Sequence, residues 1–348
     1  MPAAAFGDWI MKNQSGVSVK YICGSRPLEA EIYGSLKISP FVINIEGSPI
    51  AAPRGKKLKR WSDLARGFFA AKDFMLDEKP DLCVLFGGYI SLGVMLLSKI
   101  YGRRAGIKTV AHEQNARAGR VTRIASRLGV QVMSGWRECC PLGPNNYRYV
   151  GVPARALRDM TREEAGRELG LTGTYDATVL VMTGSLGSGK ISELIGRLAE
   201  RDELKNWRFL IIDSKIKGKR NLSENVTALP RMWDISPLFA AADVLMTRCG
   251  ASTLSEVEAS GLPAVIVPWR GAADDHQMAN ARQLRAYDRI KIWDEGAGQE
   301  ELARGLLSLG QSSGGVPGGI GKTMYNTSGS ICKNLWEFCR CAEGSDRH

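Results

Sequence analysis

Short apolar runs alternate along this chain with stretches in which apolar residues recur at helical spacing. In the first half the runs fall at residues 17–23, 41–45, 81–86, 108–111, 130–133 and 147–150; in the second they fall at 177–182, 209–213, 244–247, 264–267 and 290–293. Helical spacing is read at 2–12, 61–75, 92–101, 120–128, 162–169, 251–261, 300–309 and 328–342. Apolar runs of this length separated by amphipathic helices predict an α/β chain built on parallel sheets. The two halves look architecturally alike without any evident sequence repeat. Gly151-Val152-Pro153-Ala154-Arg155 reads as the linker between them. The chain therefore divides into residues 1–151, residues 152–325 and a terminal helix at 326–348, whose apolar side (Ile331, Leu335, Phe338, Cys339) needs a domain to dock on. A doubly wound domain ordinarily opens with a buried strand and a glycine-rich turn. Here residues 2–12 read as a helix, so a first strand is missing from the pattern.

Residues 242–280 carry the densest signal. A strand reaches Cys249-Gly250, a helix opens on Ala251, Ser252 and Thr253 and closes at Gly261, and a second strand comes next. In parallel sheets the free N–H groups of such a helix start face the ligand crevice, so Ala251 to Thr253 is an anion-binding candidate. Asp274-Asp275-His276-Gln277, with Asn280 one turn later, lies after the second strand and faces the same crevice. Two further strand ends carry candidates. Gly87-Gly88-Tyr89 turns a strand into a helix and allows close backbone approach, and His112-Glu113-Gln114-Asn115 is poor core material that suits a crevice wall. The loop Gly184-Ser185-Leu186-Gly187-Ser188-Gly189-Lys190 nearly matches the phosphate cradle of P-loop nucleotidases. Ile191 stands next, however, where that motif needs a hydroxyl for magnesium. The surviving inference is a turn whose backbone N–H groups can receive phosphate.

At 348 residues with 44% hydrophobic and 24% charged residues, the chain has globular composition and room for two ordinary domains. It has no apolar run of the roughly 18 residues needed to cross a bilayer, and its N-terminus lacks the pattern of a signal peptide, so a cytosolic location is expected. Eight cysteines without a C-x-x-C pair and only three histidines argue against a zinc site and for reduced thiols. The net charge of +11 asks for an anionic partner, and no nucleic-acid-binding motif is present. Around Trp61 two readings stay open. Trp61, Leu64, Ala65, Phe68, Ala71 and Met75 form either a core-facing helix beside a solvated basic loop, or, with Leu58 and Phe69 among nearby lysines and arginines, a face for an anionic leaflet.

Taken in order, FGGYIS, HEQNARAG, GVPAR, TGSLGS, TRCGASTLSEVEASGLPAVIVP and AADDHQMANA resemble the MurG family over nearly the whole chain. The family transfers N-acetylglucosamine from UDP-GlcNAc to undecaprenyl-pyrophosphoryl-MurNAc-pentapeptide, making lipid II. The resemblance implies a GT-B architecture, in which two Rossmann-like domains face a cleft and the final helix returns to the N-terminal one. It implies that Glu256 takes the vicinal ribose hydroxyls. Locally Thr253-Leu254-Ser255-Glu256 is equally a capping box. It also implies that Ser185 and the helix start at Ala251, Ser252 and Thr253 meet the diphosphate, that Arg155 adds charge as UDP departs, and that His276, Gln277 and Asn280 hold the sugar. By the same resemblance Met232 matches a position whose backbone contacts uracil, Asn115 is expected to line the cleft from the N-terminal side, and Gly87, Gly88, Tyr89, His112 and Glu113 are acceptor-side candidates. No metal and no cofactor are implied, because fixed N–H dipoles and an arginine can stabilise the leaving diphosphate. The implied setting is the cytoplasmic face of the membrane, with an anionic surface as partner and no nucleic acid.

The chain departs from the family at its start. MurG-like chains begin with a strand and a GGTGGH-like loop that contacts the acceptor pyrophosphate and contributes a histidine, so no catalytic base can be named here. Met1-Pro2-Ala3-Ala4-Ala5 matches the family segment just after that loop, and an upstream extension of about 15 residues, one strand and a turn, is expected. Val152 and Thr183 are milder departures. Two alternatives stay in view: a related GT-B enzyme with another lipid acceptor, and an impaired UDP-GlcNAc-binding protein.

Overall fold

The structure, a computed structural model, describes residues 1–44, 55, 57–184, 189–212, 223–311 and 320–341. It falls into two compact units, one comprising Met1–Pro153 with the chain from Ile331 onward, the other Ala154–Ser330.

The first unit contains α1 (Pro2–Asn13), β1 (Ile22–Gly24), α2 (Pro27–Ser35), β2 (Phe41–Ile43), α3 (Lys57–Glu78), β3 (Leu82–Leu85), α4 (Gly88–Ala105), β4 (Lys108–Glu113), α5 (Arg120–Arg127), β5 (Gln131–Ser134) and β6 (Arg148–Tyr149). Strands β3 to β6 pair in sequence order as a parallel sheet, and β1 pairs with β2 in a parallel sheet of their own. α3 serves two surfaces. Ala71 and Met75 are buried in the core with Phe68 packed against it, and Phe74 stacks on Phe41 at 4.5 Å between ring centroids. Leu58, Trp61, Phe69 and Leu76 lie outside, Leu58 being 87% exposed. The expected core-facing stripe is thus divided: Trp61 and Ala65 are exposed, while the Leu64 side chain lies outside those described.

The second unit contains α6 (Arg162–Glu168), β7 (Ala177–Met182), α7 (Gly189–Ala199), β8 (Trp207–Ile212), β9 (Val226–Leu229), α8 (Ser236–Ala241), β10 (Val244–Arg248), α9 (Ala251–Ser260), β11 (Ala264–Val267), α10 (His276–Gln283), β12 (Ile290–Ile292), α11 (Gln299–Gln311) and the start of α12 (Ile320–Cys341). Its six strands are parallel in the order β12-β11-β10-β7-β8-β9. This is the Rossmann order, in which the chain leaves the centre in one direction through β8 and β9 and returns to the other side at β10. The topological switch point lies between β7 and β10. One face of the sheet (Val179, Val181, Phe209, Ile211, Val244, Met246, Val265, Val267) packs on Ile195 and Leu198 of α7 and Leu302 and Leu306 of α11, all buried. At roughly 1.5–3 kcal/mol per buried aliphatic side chain, this layer fixes where the strand ends point. The final helix changes unit along its length. Cys332, Leu335 and Cys339 of α12 are buried with Phe6 and Ile10 of α1, Val110, Met133 and Val150. Lys108 Nζ donates to the Cys339 carbonyl near the helix end.

Several elements differ from the sequence-based expectation. α4 starts at Gly88 rather than residue 92, and β4 continues through His112 and Glu113 instead of stopping at 111. α2, β9 and α8 were not anticipated: β9 offers only the burial pattern of a half-polar edge, and α8 has six residues. The composition-flagged stretch 310–321 falls largely outside the described residues.

Candidate functional site

In a parallel sheet of this order ligands bind beyond the carboxyl ends of the strands at the switch point. Here those ends belong to β7 and β10. Threonine hydroxyls stitch the strand ends together: Thr247 Oγ1 donates to the Met182 carbonyl at 3.2 Å, and Thr183 Oγ1 to the Ile212 carbonyl at 3.1 Å. Gly184 adopts φ +86°, a left-handed turn that glycine permits, and a side chain there would point at Arg248. Residues 185–188, Ser185 included, lie outside the described residues.

Beyond β10, Gly250 is the N-cap of α9, no described side chain caps the helix, and its first turn carries no acid. Ala251, Ser252 and Thr253 therefore occupy the first turn, where backbone N–H groups lack helical partners and favour an anion. The helix ends at Gly261 with φ +71°, a left-handed C-cap. This start excludes the capping box at Thr253: Glu256 lies in the second turn, not at the third helical position. Instead Glu256, 3% exposed, accepts a 2.8 Å hydrogen bond at Oε1 from Arg155 Nε. Arg155 Nη1 in turn donates to the Trp233 carbonyl at 2.8 Å, next to Met232, which is half-buried in the segment between β9 and α8.

The polar cluster after β11 divides in function. Gln277 Oε1 accepts from the Cys249 N–H at 3.3 Å and the Trp269 N–H at 3.0 Å, so it clamps the turns after β10 and β11 together. Asn280 is fully buried, and its Nδ2 donates to the Cys249 carbonyl at 3.0 Å. Asn280 thereby holds the peptide that leads into α9. His276, half-buried, opens α10 behind Asp274 and Asp275, whose φ values of +53° and +54° are left-handed. Cys249 is buried, and burial pushes its thiol well above the usual range, which keeps it protonated and disfavours thiolate chemistry. Reasoning from sequence missed Arg248. It ends β10 beside Gly184 and makes a 2.6 Å ion pair with Glu295. Its place in the TRCGAS motif was visible, but a charge ending an apolar run gives no hint of which neighbour it meets.

In the first unit the acceptor-side candidates separate likewise. His112 is 1% exposed. Its Nε2 lies 2.8 Å from the Gly151 carbonyl, which can only accept, so that nitrogen carries the proton; Nδ1 receives the Gln114 amide at 3.2 Å. Burial pushes the imidazole down to about 4 from 6.5, and it stays neutral near pH 7. Glu113 is also buried and serves as a hub: Oε1 accepts from the N–H and Nδ2 of Asn115 at 3.0 and 3.3 Å, Oε2 from Gly119 N–H at 2.9 Å and Thr122 Oγ1 at 2.5 Å. His112 and Glu113 both belong to β4 and fix the loop that presents half-buried Asn115. Gly87 and Gly88 both take φ +81° where β3 turns into α4, and the Tyr89 side chain lies outside those described. Among the described residues no group of three or more His, Cys, Asp or Glu could hold a metal ion.

The profile of the glycosyltransferase family 28 N-terminal domain matches residues 1–134, and that of the family 28 C-terminal domain matches residues 178–312. A curated relative from Caldicellulosiruptor saccharolyticus is 28% identical over 81% of this chain and 78% of its own length, and one from Chlorobaculum tepidum is 28% identical over 88% and 86%. Both are named UDP-N-acetylglucosamine–N-acetylmuramyl-(pentapeptide) pyrophosphoryl-undecaprenol N-acetylglucosamine transferase. The chain belongs to the MurG family. The crystal structure of MurG from Acinetobacter baumannii shares its fold with a TM-score of 0.64 at 23% identity, covering 95% of this chain and 90% of that one. The glycotransferase of kitacinnamycin shares it with a TM-score of 0.63 at 12% identity, covering 98% and 94%. The GT-B class of the MurG family is thus that of this chain, and the β10-α9-β11 block lies inside the family 28 C-terminal match.

Proposed function

We propose that the chain transfers N-acetylglucosamine from UDP-GlcNAc to the MurNAc 4-hydroxyl of undecaprenyl-pyrophosphoryl-MurNAc-pentapeptide, with inversion at the anomeric carbon. The observation that carries this reading is the switch point of a MurG-family Rossmann unit, where an uncapped helix start (Ala251 to Thr253) and a buried carboxylate (Glu256) stand on one helix. The N–H groups of α9 suit the diphosphate, whose charge grows as the glycosidic bond breaks. The Glu256 carboxylate suits a vicinal diol, because its oxygens can only accept and both ribose hydroxyls can donate. Gln277 commits its oxygen to two backbone N–H groups, which leaves its amide N–H groups as the donors for a sugar oxygen, with His276 one residue away.

The outer stripe of the first unit suits a lipid-linked acceptor. Leu58, Trp61, Phe69 and Leu76 share one face of α3, Ile100 on α4 is 60% exposed, and Lys59, Arg66 and Lys99 are exposed on the same two helices. Apolar side chains among cations match the interface of an anionic leaflet, and we assign this face to a peripheral contact with the cytoplasmic membrane surface. No helix among the described residues is long and apolar enough to cross a membrane.

The test is transfer from radiolabelled UDP-GlcNAc to lipid I in detergent, followed by chromatography of the lipid product. Label appearing in lipid II supports the assignment. Label passing to a different lipid, or none passing although UDP-GlcNAc binds, would overturn it.

A further inference from the structure

Resting on the assignment of Glu256 to the ribose, we infer that Arg155 is a positioning residue for nucleoside recognition rather than a charge that meets the diphosphate. Its guanidinium is committed sideways. Nε donates to Glu256 Oε1 and Nη1 to the Trp233 carbonyl, both at 2.8 Å, and the two acceptors come from separate elements, one from α9 and one from the segment between β9 and α8. Arg155 thus ties the carboxylate assigned to the ribose to the segment that carries Met232. The contact with Glu256 is single-ended, and no described residue engages Oε2, which keeps a carboxylate oxygen for a hydroxyl donor.

The surroundings favour a brace. The side chains of Arg155 and Glu256 are 20% and 4% exposed, so the pair is nearly withdrawn from solvent, where charge-assisted bonds hold geometry tightly. The segment around Trp233 is anchored to the same stretch a second time: Ser236 Oγ accepts from the Arg158 N–H at 2.9 Å, and Arg158 Nε donates to Asp234 at 2.6 Å. Residues 155–158 therefore hold the loop of residues 232–236, and Arg155 extends that hold to α9. A lysine could not replace it, since one ammonium on a flexible stem lacks the planar fork that reaches both acceptors.

The experiment measures binding of UDP, 2′-deoxy-UDP and UMP to the full chain by calorimetry. Wild type should prefer UDP over 2′-deoxy-UDP. Glu256→Gln should reduce that preference on the order of tenfold, the scale of a hydrogen bond to a charged group. Arg155→Ala should reduce it comparably, Arg155→Lys partly, and the double variant Arg155→Ala/Glu256→Gln no further than Glu256→Gln alone. The preference for UDP over UMP should stay within about twofold in the Arg155 variants, because a shared brace touches no phosphate. If Arg155→Ala keeps the 2′-hydroxyl preference and loses the UDP-over-UMP preference, the residue serves the diphosphate and the inference falls. Tighter UDP binding in Arg155→Ala would also overturn it, since the guanidinium would then compete with the ribose. If Glu256→Gln leaves the 2′-hydroxyl preference intact, the ribose assignment itself fails and takes the inference with it. Should Arg155→Ala not fold, Arg155→Lys carries the same comparison.

Discussion

Replacing His112 by glutamine should make the first unit less sensitive to acid. The buried imidazole has its affinity for a proton lowered to about 4 from 6.5, mainly by desolvation, against the weaker opposing pull of the Gly151 carbonyl and Glu113. In the unfolded chain the same group protonates around 6.5. Between these two values the unfolded state binds a proton that the folded state refuses, so stability is fully present above about pH 6.5 and is lost as the pH falls toward 4. Linkage puts the loss at about 2 kcal/mol between pH 7 and pH 5, and about 3 kcal/mol by pH 4. Glutamine keeps an N–H for the Gly151 carbonyl and carries no titrating group. It gives up the ring contact with Phe86, whose centroid lies 5.3 Å away, so the variant is less stable at neutral pH by a pH-independent amount.

The readout is the difference between wild type and variant, in which all other titrating groups cancel. Native-state hydrogen exchange of the β4 and β5 amides confines the measurement to the first unit, avoiding a two-state treatment of a two-unit chain. The wild-type advantage should shrink by about 2 kcal/mol from pH 7 to pH 5. A constant difference across that range would refute the reasoning, as would an NMR titration placing the His112 midpoint near 6.5. With only three histidines in the chain, the His112 signal can be assigned by single substitutions.

Other outcomes rest on particular contacts. Glu113→Gln leaves one acceptor oxygen for donors from Asn115, Gly119 and Thr122, and should cost about 2 kcal/mol with faster exchange across residues 114–119; unchanged protection there would contradict the hub. Gly310→Ala would drive a methyl into the Trp207 ring, and thermal denaturation should show the second unit weakened by about 1–3 kcal/mol. Trp61→Ser combined with Phe69→Ser should reduce co-sedimentation with phosphatidylglycerol vesicles severalfold without changing UDP binding; equal sedimentation would remove the α3 stripe from the membrane assignment.

The second unit was largely legible because its elements announce themselves locally. A run such as residues 244–247 is buried on both faces, as a central parallel strand must be, and Gly250 and Gly261 punctuate the helix between β10 and β11 at the positions flanking α9. The first unit was harder to read. β1 and β2 are three residues each, and α3 has apolar residues on both its inner and outer sides, so periodicity cannot say which side is core. Side-chain roles at the strand ends were the least legible. His112, Glu113 and Asn280 look like ligand residues by type and place, and the structure shows each of them buried and also hydrogen-bonded to nearby backbone groups. Sequence supplies the donors and acceptors near a crevice, while which of them backbone geometry consumes depends on turns several residues away.

That consumption is itself part of how the site is built. A ligand-binding helix start works only if its N–H groups point outward from a rigid turn, and the turn at Cys249 has no regular partner strand beyond β10 to hold it. Gln277 and Asn280 fill that role from one helix face: one takes the Cys249 N–H, the other donates to its carbonyl, and both come from α10. The peptide entering α9 is therefore fixed from both of its polar ends, and the same Gln277 oxygen ties it to Trp269 after β11. Placing polar side chains in a motif next to a binding helix thus serves two ends at once, because buried backbone groups must be satisfied before any remaining N–H can be offered to a ligand. The residues left over after that demand, Glu256 with its Oε2 and the amide of Gln277, are where nucleotide and sugar specificity should be sought by substitution.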